Sequence, residues 1–155
     1  LALSIVVLVQ ACSTAATNQE AAPNQAIDPA GLFKMPGFHQ VMAAEGKRTL
    51  YIAGQVAYDK DMQFVGVGDY RAQTIKALQN LVLALNAAGA NANSVVSSTL
   101  YIKGLKGDAA KEIMAGIATA IDGQAFPAHA FTMVGVEALG DPRALVEISA
   151  IAVTE

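Results

Sequence analysis

The spacing of apolar residues changes several times along the chain and predicts two helices in its central part. After Asp69, apolar residues recur at the spacing of one buried helical stripe, so we expect a helix that is capped by Asp69 and stops before Gly89. The positions of this stripe are Ile75, Leu78, Leu81, Val82 and Leu85. A second helix is predicted from a cap at Asp108 to about Asp122, with Gly123 after it.

Runs rich in β-branched residues and bounded by Gly, Asn or charged turns predict five strands. The runs cover residues 41–44, 49–57, 94–105, 130–136 and 144–153. A polar turn joins the first two, and the last two are expected to run antiparallel around residues 137–143. The predicted order is β-β-α-β-α-β-β, with a right-handed βαβ unit around the first helix.

This order predicts a single α/β (α+β) domain with a mixed sheet. Two helices can cover only one face of such a sheet, so the other face must be shielded in another way. The simplest shield is a set of further copies of the same chain. The pattern therefore favours a closed homo-oligomer.

An uncharged apolar run, LALSIVVLV, opens the chain and is too short to span a bilayer as a helix. The VQAC sequence that ends at Cys12 resembles a bacterial lipobox, in which the Cys sulfur receives a lipid. We therefore predict a lipoprotein-type signal peptide over residues 1–11 and a membrane anchor on Cys12. Ser13 after the Cys favours the outer membrane, on the periplasmic side of the cell envelope. The alternative is that the run forms a buried first strand or helix.

Residues 12–34 are rich in Ala, Asn, Gln, Thr and Pro, which predicts a flexible tether between Cys12 and a folded domain over residues 35–155. The formal net charge is −3, and the ten Lys and Arg residues are scattered along the chain. This distribution argues against a nucleic-acid partner. Cys12 is the single cysteine, so an intrachain disulfide is excluded.

Several short motifs, taken in chain order from about residue 37, resemble the reactive intermediate deaminase family (RidA or YjgF-like proteins, also labelled endoribonuclease L-PSP). They are YIAGQ at 51–55, AQT at 72–74, ALQNL at 77–81, AAGA at 87–90, FPA at 126–128, LVEI at 145–148 and AIA at 150–152. The resemblance implies a chorismate-mutase-like fold in a trimeric barrel, with ligand pockets between subunits. It also implies hydrolysis of imines or enamines without a metal or organic cofactor.

The family's deaminases carry an arginine directly after Pro-Ala, where its guanidinium binds the substrate carboxylate. An alignment anchored on the FPA motif places His129 at that position, and an alignment anchored on the downstream apolar residues places Phe131 there. The two positions are two residues apart in a strand, so both point to the same face of the sheet. Neither alignment supplies an arginine.

Other ligand positions implied by the resemblance also differ from the family. Phe38 replaces a tyrosine, Ala53 replaces a Ser or Thr, and Glu112 falls near a pocket Asn. Two positions keep the family residue: Gly54, whose backbone can approach a ligand, and Glu147, which would place the attacking water. These changes predict a pocket that binds small α-imino carboxylates poorly.

Each catalytic candidate has a structural alternative. Glu147 is either a pocket acid or an interface residue in an ion pair, and His129 either stands in for the arginine or is a hydrogen-bonded strand residue. No metal-ligand spacing is present. The favoured function is imine or enamine hydrolysis by a divergent family member. The alternative is a non-catalytic small-molecule-binding or envelope interaction protein on the same trimeric scaffold.

Overall fold

In a computed structural model, residues 24–155 are described. The predicted signal peptide, Cys12 and the first part of the predicted tether lie outside the described residues, so the domain boundaries and the lipid anchor stay predictions. Two helices and six strands form the domain. The strands are β1 (Gln25–Ile27), β2 (Val41–Ala43), β3 (Arg48–Gln55), β4 (Val95–Lys103), β5 (Ala130–Val136) and β6 (Val146–Thr154), and the helices are α1 (Tyr70–Ala87) and α2 (Gly107–Ile117).

The main sheet has the strand order β3-β6-β4-β5. Strands β4 and β5 are parallel, whereas β6 is antiparallel to both of its neighbours, so the sheet is mixed as predicted. Strands β5 and β6 run in opposite directions, as expected, but β4 lies between them and they form no hairpin. Strands β3 and β4 run parallel on either side of β6, with α1 connecting them.

The predicted strands 41–44 and 49–57 do not share a sheet. Strand β2 pairs antiparallel with β1, a strand in the segment that was predicted as a tether. Strand β3 pairs with β6 instead. This pairing packs Leu50 and Ile52 against the buried residues of β6. Strand β3 therefore pairs with the strand that buries its apolar face, and not with β2, its neighbour in the chain.

Helix α1 is confirmed at both ends, whereas α2 differs from its prediction at both ends. The Asp69 side chain accepts a hydrogen bond from the Ala72 N–H at 3.0 Å, as an N-cap residue does. The predicted Asp108 cap is wrong, since α2 has Lys106 at its N-cap and Asp108 lies in its first turn. Helix α2 ends at Ile117 rather than Asp122, because the Ile117 carbonyl accepts from the Phe126 N–H and the chain turns to bury that ring.

Both helices pack on one face of the main sheet. The core combines residues of α1 and α2 with alternate residues of β4 and β6, among them Leu81, Leu85, Ile102, Ile113, Val146 and Ile148. The intervening strand residues point to the opposite face, which neither helix of residues 24–155 covers. The predicted uncovered face is therefore present, and we call it the open face.

Candidate functional site

The open face carries the one family acid that the sequence retained. Along β6, Val146 and Ile148 are buried under the helices, so the residue between them, Glu147, projects from the open face. Tyr101 of β4 is the cross-strand partner of Glu147. The two side chains therefore stand next to each other on the same surface.

Gly54 of β3 lies directly below the Glu147 carboxylate. The pairing of β3 with β6 changes register between Ile52 and Gln55, which is a bulge, and Gly54 is one of the two β3 residues that face a single residue of β6. A Cβ atom on Gly54 would collide with Glu147 Oε1. The absence of a side chain at position 54 therefore allows the carboxylate to occupy this place.

Glu147 and Gly54 line a cleft of about 470 Å³. The other lining residues are Tyr101, Val136, Ala138, Leu139, Gly140 and Ser149. Glu147 is the charged member of this set, and the hydroxyls of Tyr101 and Ser149 are the other polar side-chain groups. The cleft thus offers a carboxylate and two hydroxyls against a largely apolar wall.

Arg143 forms an ion pair with Asp141 beside the cleft. Its guanidinium donates two hydrogen bonds to Asp141, at 2.9 and 2.6 Å, and lies 5.0 Å from the Phe64 ring centroid. The Tyr58 hydroxyl donates to the same carboxylate. These partners hold the pKa of Asp141 well below its usual range. Tyr58 is far from Asp141 in the chain, so no sequence signal joined them.

His129 is buried on the helix-covered side of the sheet, away from Glu147. Its Nδ1 lies 2.8 Å from the Pro127 carbonyl, which can only accept, so Nδ1 carries the proton. Its Nε2 then accepts from the hydroxyl of buried Ser98 at 2.7 Å. Burial lowers the pKa of His129 and favours this neutral form. The geometry supports the structural alternative for His129 over the catalytic one.

Two of the other predicted ligand residues lie with His129. The rings of Phe38 and Phe131 meet edge to face with centroids 5.3 Å apart, and Phe131 packs against the core. The Phe38 ring also stacks on the exposed ring of Phe33 at 5.8 Å. Within one subunit, this aromatic group is therefore separate from the cleft of Glu147.

The last two predicted ligand residues occupy opposite sides of the sheet. Ala53 is exposed next to Gly54 in the bulge of β3. Glu112 is exposed on α2, and α2 belongs to the helix-covered side. The structure thus brings Gly54 and Glu147 together, with Ala53 beside Gly54 in the chain, and places Glu112 elsewhere. Whether any of these residues binds a ligand stays a prediction.

Residues 24–155 contain neither a candidate membrane-spanning helix nor a candidate metal site. Neither helix in this part of the chain combines the length and the apolar character that crossing a bilayer requires. No group of three or more His, Cys, Asp or Glu side chains in it is arranged to hold a metal ion.

Comparison with known proteins decides the family. Residues 34–154 match the family model described as Endoribonuclease L-PSP. The chain belongs to this family. A RutC family protein of Pyrococcus abyssi is 35% identical over 107 residues, which cover 68% of this chain and 79% of that protein. The resemblance found in the sequence is therefore confirmed.

Solved structures of the Rid and YjgF groups share the fold of this L-PSP family chain. The Rid family protein YyfB from Yersinia pestis superposes with a TM-score of 0.74 at 34% identity, over 85% of this chain and 99% of that one. A YjgF/YER057c/UK114 family member from Mycobacterium tuberculosis gives a TM-score of 0.53 at 28% identity, over 76% and 87%. The predicted single α+β domain with two helices and a mixed sheet is confirmed.

Proposed function

We propose that this Rid family chain hydrolyses imine or enamine intermediates in the cleft of Glu147. The observation that carries the proposal is the position of the Glu147 carboxylate over the bare backbone of Gly54. A carboxylate in an open, mostly apolar cleft is suited to accept a proton from a water molecule that attacks a neighbouring carbon. Family membership supports the class of chemistry, and the position of Glu147 in the cleft supports its role as the proton acceptor.

The reaction balances without a cofactor. Water adds its oxygen to the imine carbon while Glu147 accepts one water proton and passes it to nitrogen. The resulting carbinolamine then loses ammonia as its hydroxyl proton passes through Glu147 to nitrogen, the C–N bond breaks and the C=O bond forms. An enamine enters the same route after it gains a proton at carbon and becomes the imine. Tyr101 and Ser149, which line the cleft, would hold the water or the nitrogen by hydrogen bonds.

The trimer is part of the proposal. Tyr51 of the open face is 80% exposed, and its cross-strand partner Ile151 on β6 is also exposed, so the two form an exposed apolar pair on this face. Copies of the chain around a three-fold axis would cover this face. The same assembly could bring the aromatic group of one subunit to the Glu147 cleft of the next. Sedimentation equilibrium should give three times the 16.0 kDa of one full chain, less any cleaved signal.

Glu147→Gln tests the chemistry. We expect the wild-type protein to release ammonia from freshly generated 2-iminopropanoate above the buffer rate, and the variant to lose about a hundredfold or more in kcat, a typical loss for a general base. Glu45→Gln removes an exposed carboxylate from the β2–β3 connection and serves as the matched control. A wild-type rate equal to buffer over a panel of imines, or an unchanged Glu147→Gln rate, would overturn the proposal.

The membrane anchor is proposed from the sequence alone. The VQAC sequence, whose last residue Cys12 would accept the lipid, supports it. Expression of the full-length precursor in bacteria supplied with radiolabelled palmitate should give a labelled, membrane-bound product. Cys12→Ser should give an unlabelled protein, and equal labelling of both would refute the anchor.

A further inference from the structure

A negatively charged substrate of the proposed reaction needs a cationic group that binds its carboxylate. The family's arginine position holds His129 or Phe131, and neither carries a cation at neutral pH. The lining of the cleft itself contains a single charge, the carboxylate of Glu147. A substrate carboxylate therefore needs a cation from just outside this lining.

Lys103 lies on the open face, next to the wall of the Glu147 cleft. It is two residues beyond Tyr101 in β4, so both side chains leave the strand on the open face. Its partner across the parallel pairing is Val136, a residue of the cleft wall. Because Tyr101 stands opposite Glu147, Lys103 is the diagonal neighbour of Glu147, about 7–8 Å away between Cα atoms.

The ammonium group of Lys103 is available to bind an anion. Its hydrogen-bond partner is the Pro142 carbonyl, at a long 3.4 Å. Within residues 24–155 Lys103 forms no ion pair. The other cation near this wall is Arg143, and Asp141 already binds it through two short hydrogen bonds. Of the two, Lys103 is therefore the one that can bind a ligand without first breaking an ion pair.

We propose that Lys103 binds the carboxylate of a small 2-imino or 2-oxo acid while Glu147 faces its carbon at position 2. This inference rests on the proposed function of the Glu147 cleft. A lysine is a point charge on a flexible stem and lacks the planar fork of arginine. The cleft should therefore bind such acids with looser orientation, and the specificity should depend mainly on charge.

The test uses pyruvate, the product of 2-iminopropanoate hydrolysis, as a stable probe of the wild-type chain and two variants. Lys103→Met keeps the length of the side chain and removes the charge. Lys111→Met removes an equal charge from the exposed surface of α2, on the other side of the sheet. Titration by NMR or calorimetry should show pyruvate binding that is at least about tenfold weaker in Lys103→Met and unchanged in Lys111→Met.

Further comparisons make the result specific. Lys103→Arg should restore binding, and pyruvamide, which lacks the negative charge, should not distinguish Lys103→Met from wild type. In the hydrolysis assay, Lys103→Met should raise KM for 2-iminopropanoate with a smaller change in kcat. Equal pyruvate affinity in wild type and Lys103→Met, or no pyruvate binding by the wild type, would overturn the inference.

The two proposals fail in different ways. If the wild type releases ammonia and Lys103→Met keeps its KM, the proposed hydrolysis stands and the role of Lys103 is wrong. If pyruvate binds through Lys103 but no imine is hydrolysed, the cation site stands and the proposed chemistry is wrong.

Discussion

The two faces of the main sheet differ in how their polar groups are used. On the helix-covered face, each buried polar side chain has a partner, as Gln73 shows by bonding to Gly66, Arg143 and Leu145. On the open face, Glu147 and Lys103 have no ion-pair partner within residues 24–155. Paired groups stabilise the fold, whereas groups without a partner can interact with a ligand. Chemistry is therefore expected on the open face of the sheet.

Two glycines show the same contrast. A Cβ on Gly116 of α2 would come within 2.8 Å of the Thr74 Cβ and 3.1 Å of the Arg71 carbonyl oxygen, both on α1. Gly116 therefore permits the close packing of the two helices. A Cβ on Gly54 would instead meet the mobile end of Glu147, which can move. One glycine serves packing, and the other serves the position of a carboxylate.

The largest expected effect concerns the helix-covered face. Leu81 of α1 is fully buried, so Leu81→Ala should lower the free energy of unfolding by about 2–5 kcal/mol. Leu83, two residues later, is 63% exposed, and Leu83→Ala should change it by less than about 0.5 kcal/mol. Urea denaturation of the two variants measures both values. Similar losses for both would contradict the assignment of the core.

The two glycines should separate stability from activity. Gly116→Ala forces α1 and α2 apart and should cost about 1–3 kcal/mol of unfolding free energy, while the folded fraction keeps its imine hydrolysis rate. Gly54→Ala should leave the melting temperature nearly unchanged and lower kcat about tenfold or more, because the Glu147 carboxylate must leave its place. Thermal melts and ammonia release on the same samples test this pair. A stability loss in Gly54→Ala equal to that in Gly116→Ala would remove the contrast.

The smallest expected effect is a pH dependence that comes from His129. Because the folded-state pKa of His129 is below 6.5, the unfolded chain binds the proton more readily as the pH falls below 6.5. The protein should therefore lose stability between pH 6.5 and 5, by at most about 1.4 kcal/mol per pH unit. His129→Gln should flatten this slope in urea denaturation at a series of pH values. An identical slope in wild type and variant would show that His129 is not the group responsible.

The local sequence pattern predicted the positions of the helices and strands better than the contacts between them. Helix α1 and strand β5 were placed from spacing and turn residues, since both signals lie within a few residues of the element. The end of α2 was wrong because burial of Phe126, nine residues later, decides it. Strand β1, which pairs with β2, was not predicted, because its three exposed residues carry no hydrophobic pattern of their own.

The candidate site was found only in part for a similar reason. Gly54 and Glu147 were named from family motifs, and the structure shows them in contact. His129 and Phe131 were named from an alignment position, and the structure places them across the sheet from Glu147. Lys103 had no motif, and its place next to the cleft follows from the pairing of β4 with β5 and β6.

The sequence by itself determined the family, the two helices, most strands and the surviving acid, because periodicity, caps and motifs are local properties of the chain. The tertiary structure decided the strand order, the hydrogen bonds between His129 and Ser98 and between Tyr58 and Asp141, and the grouping of Glu147, Gly54 and Lys103. These depend on contacts between residues that are far apart in sequence. The burial of apolar faces selects those contacts, and no short pattern in the chain encodes it.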